Sequence, residues 1–171
     1  MGTGQMLLAL LALTILASVT VSANKLVLNQ TDLVEGSEAM ITGTAIGQAM
    51  VENVTVKYFD QRVLPPLSTD TVDVLTPPAL LGPDSGEVAD DPTTFNDIDD
   101  YNGYQDSVLT PRLGYFWRTC RVYYVTENSP DVNAGTQTFL KRIDVTVRSP
   151  YITTPGDTLM ISKIVSYRYK K

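Results

Sequence analysis

Residues 6–23 read MLLALLALTILASVTVSA, eighteen positions without a charge, a proline or a glycine. A membrane-spanning helix needs about 20 such residues, so the stretch stands at that threshold. It is apolar on every side, and a helix of that kind must be covered by lipid or by other protein. The pattern then changes without a break signal. Residues 25–57 contain no proline, and the first proline is Pro65. Apolar residues recur at helical spacing: Leu26, Leu33, Met40 or Ile41, Ala45, Met50 or Val51, Val54 and Tyr58. The spacing predicts one continuous helix from about Gly4 to about Asp60. At 1.5 Å per residue it would be roughly 80 Å long. Ser18 to Ser22, rich in β-branched residues, is where stretched or melted backbone is expected. Gly36, Gly43 and Gly47 each cost about 1 kcal/mol in a helix interior. They are either tolerated or mark close helix–helix approach.

Outward from the helix, residues 61–113 read as an irregular region. Pro65-Pro66, Pro77-Pro78, Gly82-Pro83, Gly86, Pro92 and Pro111 punctuate it, and Val72-Asp73-Val74-Leu75 could add an edge strand. From Gly114 the signal is β. Residues 114–127, GYFWRTCRVYYVTE, are rich in aromatic and β-branched residues. Ile143 to Arg148 alternates strictly between apolar and polar, and residues 158–169 read as a further strand. The fold class expected is α+β: a long N-terminal helix packed by its second half on a C-terminal antiparallel sheet of three to four strands. The organisation expected is residues 1–25 as an apolar helix half and residues 26–171 as a globular head. Within the head, residues 26–60 are the amphipathic helix half, 61–113 the loop region and 114–171 the sheet.

Composition narrows the function. The 171 residues carry a net charge of -6, so bulk electrostatics argue against nucleic-acid binding. There is no histidine, which removes the commonest general base and metal ligand. The single cysteine, Cys120, excludes an intrachain disulfide and thiolate zinc clusters and reads as a small buried apolar residue. No Ser–His pair or phosphate-binding loop is present, and a catalytic site is not expected. Charge is segregated. Residues 84–106 hold eight of the nineteen acids, and residues 112–171 hold ten of the thirteen bases. Facing surfaces of opposite sign on neighbouring copies would favour self-association. Asp97, Asp99, Asp100 and Asn102 form the densest cluster of oxygen ligands, of a type calcium favours. The spacing fails as an EF-hand, because Tyr101 stands at the fifth position, and a solvated turn at Asn102-Gly103 is the simpler reading. Asn29-Gln30-Thr31 and Asn53-Val54-Thr55 match the N-glycosylation pattern but lie inside the expected helix. The loop hydroxyls of Ser68, Thr69, Thr71, Thr76, Ser85, Thr93 and Thr94 are better candidates for O-linked sugar.

Three readings of the apolar segment compete. Val21-Ser22-Ala23 would serve as a signal-peptide cleavage site, but no Lys or Arg precedes the apolar run. A permanent single-span anchor on a monomeric surface binding domain is the second reading. The third is a helix first held in the membrane and then transferred into a polymer.

The order of parts resembles that of type IV pilins and their minor-pilin relatives: apolar helix half, amphipathic half, irregular loop, antiparallel sheet. Phe95-Asn96-Asp97-Ile98-Asp99-Asp100-Tyr101-Asn102-Gly103-Tyr104 looks like the acidic–aromatic segment of mannose-sensitive haemagglutinin-type minor pilins. Arg142-Ile143-Asp144-Val145-Thr146-Val147 looks like their penultimate strand. The resemblance implies a structural subunit of an extracellular filament used for adhesion, motility or surface attachment. It would be a helical homopolymer whose subunits reside in the inner membrane before assembly. The assembly core would be Gln5, Met6, Leu7, Leu8, Leu10, Leu11, Leu13, Ile15 and Leu16. Pilins usually carry a glutamate at the fifth mature position. If Met1 is the mature start, Gln5 stands there, able to hydrogen-bond but not to form an ion pair. Gly4-Gln5 alternatively resembles a prepilin peptidase site with a very short leader. The helix-bending proline and the C-terminal disulfide loop of many pilins are missing from this sequence.

Overall fold

A computed structural model describes residues 2–152, 154 and 156–167. The fold is α+β, with one long helix followed by a four-stranded antiparallel meander. Helix α1 runs Thr3–Thr55 without interruption. The chain divides into two compact units, residues 1–38 and 39–171, and α1 contributes to both.

The expected weak point at residues 18–22 is helical. Its hydroxyls turn back on the helix: Ser18 Oγ donates to Ile15 O at 2.8 Å, Thr20 Oγ1 to Leu16 O at 2.9 Å and Ser22 Oγ to Ser18 O at 2.8 Å. A hydroxyl bonded to the preceding turn no longer competes for the backbone in a non-helical conformation.

The sheet order is β1 (Gln105–Thr110), β2 (Gly114–Tyr124), β3 (Leu140–Arg148) and β4 (Thr158–Ser166). Strand β1 falls inside the region expected to be irregular; it pairs along its whole length with β2, from Gln105 opposite Thr119 to Thr110 opposite Gly114. The edge strand expected at residues 72–75 is instead a 3-10 turn, because the Leu75 N–H bonds back to Val72 O at 3.0 Å. Strand β4 ends at Ser166, and residues 168 and 169 of the expected strand lie outside the described residues.

In the unit of residues 39–171, the end of α1 lies on the sheet. Its buried positions are Ala39, Gly43, Gly47, Met50, Val51 and Val54, which recur every three to four residues. They meet Phe116, Cys120 and Val122 of β2 and Ile143, Val145 and Val147 of β3 in one core. The apolar spacing finds part of this face, since Met50, Val51 and Val54 are buried and Met40 packs on the core, while Ile41, Ala45 and Tyr58 are exposed. Small residues complete the face, because they allow a helix backbone to approach a sheet. A Cβ on Gly47 would lie 2.5 Å from Ile161 Cδ1 and 3.0 Å from Val147 Cγ2. Gly43 faces Ile152 and Phe116. Neither merely tolerated nor turned toward another helix, these two glycines serve helix–sheet packing within the chain.

Candidate functional site

The apolar half of α1 is the first candidate. Met6, Leu7, Leu8, Leu10, Leu11, Leu13, Ile15 and Leu16 are each 56–68% exposed, and Gln5 is exposed beside them. The most apolar eighteen-residue window of α1 has mean hydropathy 2.3, and none of it is buried. An isolated exposed leucine is unremarkable, but a contiguous apolar surface of this extent marks a site covered by something else.

The second candidate is a node of buried charge under the loop that precedes β1. The acidic–aromatic segment supplies most of it. Phe95, Tyr101 and Tyr104 pack edge to face, with ring centroids 4.9–5.8 Å apart, and fix the turn Asp99–Tyr101 in the core. Backbone bonds hold this segment on both sides. Ile98 N donates to Tyr58 O at 2.9 Å, and Gly103 N donates to Cys120 O at 2.9 Å. Gly103 has φ of 88°, a conformation that favours glycine.

Asp60, Asp97, Asp99, Asp100 and Lys141 are all at most 1% exposed. Lys141 Nζ lies 2.6 Å from Asp99 Oδ1 and 3.1 Å from Asp60 Oδ2, and donates to Phe59 O at 2.6 Å. The ammonium also sits over the rings of Phe59 and Tyr124, at 4.6 and 5.3 Å from their centroids. Asp60 accepts further from Thr76 N at 2.8 Å, Thr76 Oγ1 at 3.0 Å and Arg62 N at 3.1 Å. Burial pushes the Asp60 carboxyl up, but the Lys141 charge and these donors outweigh it and hold it below the usual carboxylate range. Lys141 was legible in principle: it continues the alternation Ile143, Val145, Val147 onto the buried face of β3. A lysine at that position requires buried acids to meet it.

Next to this ion pair is a more acidic group. Asp97 Oδ1 accepts from Asp99 N at 2.9 Å and Asp100 N at 3.3 Å, while Oδ2 accepts from Gln61 N. Even so, burial and the charges of Asp99 and Asp100 push the Asp97 carboxyl far above the ordinary range. Asp100 Oδ2 accepts from Asn96 N and Asp97 N, both at 2.9 Å, and its carboxyl is pushed up to about 7, chiefly by burial. Ligand oxygens of Asp84, Asp97 and Asp100 all lie within 4.8 Å of one another. Of the four residues expected to form an oxygen cluster, Asp97 and Asp100 come together. Asp99 is drawn away by Lys141, and Asn102 is committed elsewhere, donating to Leu81 O at 3.0 Å and accepting from Val122 N at 3.1 Å. The third carboxylate, Asp84, enters from a distant turn. No local spacing announces it.

Other sequence expectations sort by burial. Cys120 is buried, and its thiol is pushed up to about 12 by burial and the Asp144 charge. Thr69 and Thr76 are buried, so they are poor sites for sugar, while Ser68, Thr71, Ser85 and Thr93 are exposed. Part of the charge asymmetry is met within one chain, by Lys141 with Asp60 and Asp99 and by Arg118 Nε with Asp106 at 2.6 Å. No family model matches the chain, no characterised protein is significantly similar to it, and no solved structure matches it.

Proposed function

We propose that the chain is a non-enzymatic structural subunit that polymerises through its N-terminal helix into an extracellular type IV pilus-like filament. Before assembly it is held in the inner membrane by the same helix. The observation that carries this reading is the fully exposed eighteen-residue apolar window of α1. Eighteen largely apolar residues can bury well over about 1,000 Å² between copies. At about 25 cal/mol/Å² that is tens of kcal/mol before entropy, an upper bound. Surface ion pairs, at about 0–1 kcal/mol each, cannot compete with it. The same window would also serve as a single-span anchor for a monomeric surface domain. That alternative expects a helix ending near Lys25 and a flexible linker, and the unbroken course of α1 to Thr55 favours the filament.

Negative-stain images of the purified full chain test the proposal. Filaments are expected from the native sequence and none from Leu10→Asp or Leu13→Asp. Intact filaments from Leu10→Asp, or only single micelle-bound particles from the native chain, would overturn it.

A further inference from the structure

We propose that Asp84, Asp97 and Asp100 hold one calcium ion that fastens the proline-rich loop to the head. The three carboxylates offer oxygens within 4.8 Å of one another. One ion with oxygen distances of about 2.3–2.6 Å bridges such a group. A cluster of acids alone would not require an ion, because acids on a surface are solvated. Here two of the three, Asp97 and Asp100, are inside.

The independent sign is a buried oxygen with no partner. Asp100 is fully buried, and its Oδ2 is satisfied by two backbone N–H groups. Its Oδ1 has none. A buried carboxylate oxygen without a donor is costly and calls for an unseen partner. Asn96 Oδ1 is in the same condition. Its orientation is fixed by its own amide nitrogen, which donates to Glu87 Oε1 at 2.7 Å and Gln61 Oε1 at 3.2 Å. Turning the amide over would point its oxygen at two acceptors. Two oxygens that lack donors thus sit on one short turn, beside two further carboxylates.

Charge balance points the same way. Of the four buried aspartates, Asp60 and Asp99 are met by the Lys141 ammonium, whereas Asp97 and Asp100 accept only from backbone N–H groups. A divalent cation offsets the excess where water cannot. The ligand set is oxygen only, which suits a hard cation. Carboxylates and an amide on an irregular loop fit calcium's tolerance of uneven geometry better than magnesium's near-ideal octahedron.

The position gives the ion a task. Asp84 belongs to the turn at residues 84–87, where its N–H donates to Glu87 Oε2 at 2.9 Å. Asp97 and Asp100 belong to the segment bound to Tyr58 and to β2. One ion joins the outer turn to the inner segment and, through the Gln61–Asp97 bond, to the chain just after α1. This inference does not depend on polymerisation and stands or falls separately from the filament reading.

The test uses the full chain in detergent, stripped by chelator, with calcium chloride as the probe. Calorimetry is expected to find one ion per chain, at or below the millimolar affinity of extracellular calcium modules, about 10⁻⁴–10⁻³ M. Calcium is expected to raise the unfolding temperature and slow proteolysis of the loop. Asp97 also caps three backbone N–H groups, so its replacement endangers the fold; Asp84 is only half-buried and is the better variant. Asp84→Asn should weaken calcium binding at least about tenfold, a loss typical of removing a support from a metal site. Its calcium-free unfolding temperature should stay near the native value. Asp90→Asn, the same charge change at an exposed position, should leave binding intact. No heat with calcium up to about 10 mM, an order above the weakest extracellular modules, would overturn the proposal. Native affinity in Asp84→Asn, or equal affinity for magnesium, would overturn it as well.

Discussion

The two ends of α1 obey opposite rules although they belong to one helix. Residues 6–23 are the most apolar part of the chain, and none of their large side chains is buried. Residues 39–54 are less apolar, yet they carry the core through alanine, glycine and valine with one methionine, Met50. Apolarity therefore does not say which surface a domain uses for itself. Size and the shape of the partner do. A sheet accepts a helix closely only where side chains are small enough to let it near, whereas a row of leucines suits a soft or multi-chain environment. If the chain assembles as proposed, the difference implies that assembly and folding are separable.

The sharpest break of that comparison is Leu10→Asp. It should abolish filaments entirely while leaving the unfolding transition of the head unchanged, as followed by tryptophan fluorescence of Trp117 on β2. A head that unfolds along with the loss of filaments would show that the two ends are not separable. The converse variant is Lys141→Ala, which strands Asp60 and Asp99 as buried, uncompensated carboxylates. Breaking such a pair from one side costs about 3–5 kcal/mol, measurable as a shift in denaturant midpoint. A loss below about 1 kcal/mol would mean that water or protonation replaces the lysine easily.

Gly47→Leu probes the close approach itself. Overfilling a packed interface costs about 1–3 kcal/mol, and the same measurement detects it. Gly43→Ala makes the matching control, because its Cβ would meet Ile152 Cδ1 at an ordinary 3.4 Å. That change should stabilise the head by up to about 1 kcal/mol through helix propensity.

The smallest expected effect is a pH dependence on the outer side of β3. Asp144 faces Arg142 on its own strand, Tyr123 and Arg121 on β2 and Ser162 on β4. Burial pushes its carboxyl up, but hydrogen bonds from Ser162, Arg142 and Tyr123 prevail and hold it below 3.8. Its contribution is complete above that ordinary value and disappears as pH falls through the lower folded one. Asp144→Asn should therefore cost about 1 kcal/mol at about pH 6, and the difference from the native chain should narrow as pH falls below 3.8. A constant difference across that range would show that the aspartate acts through packing and not through its charge.

Local patterns were enough for much of this architecture. The proline-free run to Pro65 implied a single long helix, and the alternation from Ile143 to Arg148 implied a sheet with one buried face. Both signals are repeated at a period the backbone imposes, so neighbouring residues state them together. The apolarity of residues 6–23 likewise follows from composition alone. Tertiary structure decided the rest. It added Gly43 and Gly47 to the packing face and left Ile41 and Ala45 outside it, because closeness to a sheet is a property of the pair and not of the helix. It turned residues 105–110 into a strand, because β1 is made by pairing with β2 and carries little apolar alternation of its own. It gave Asp99 to Lys141 and brought Asp84 to Asp97 and Asp100. Those partners are far apart along the chain. Buried charges are matched by proximity in space, which no single stretch of sequence encodes.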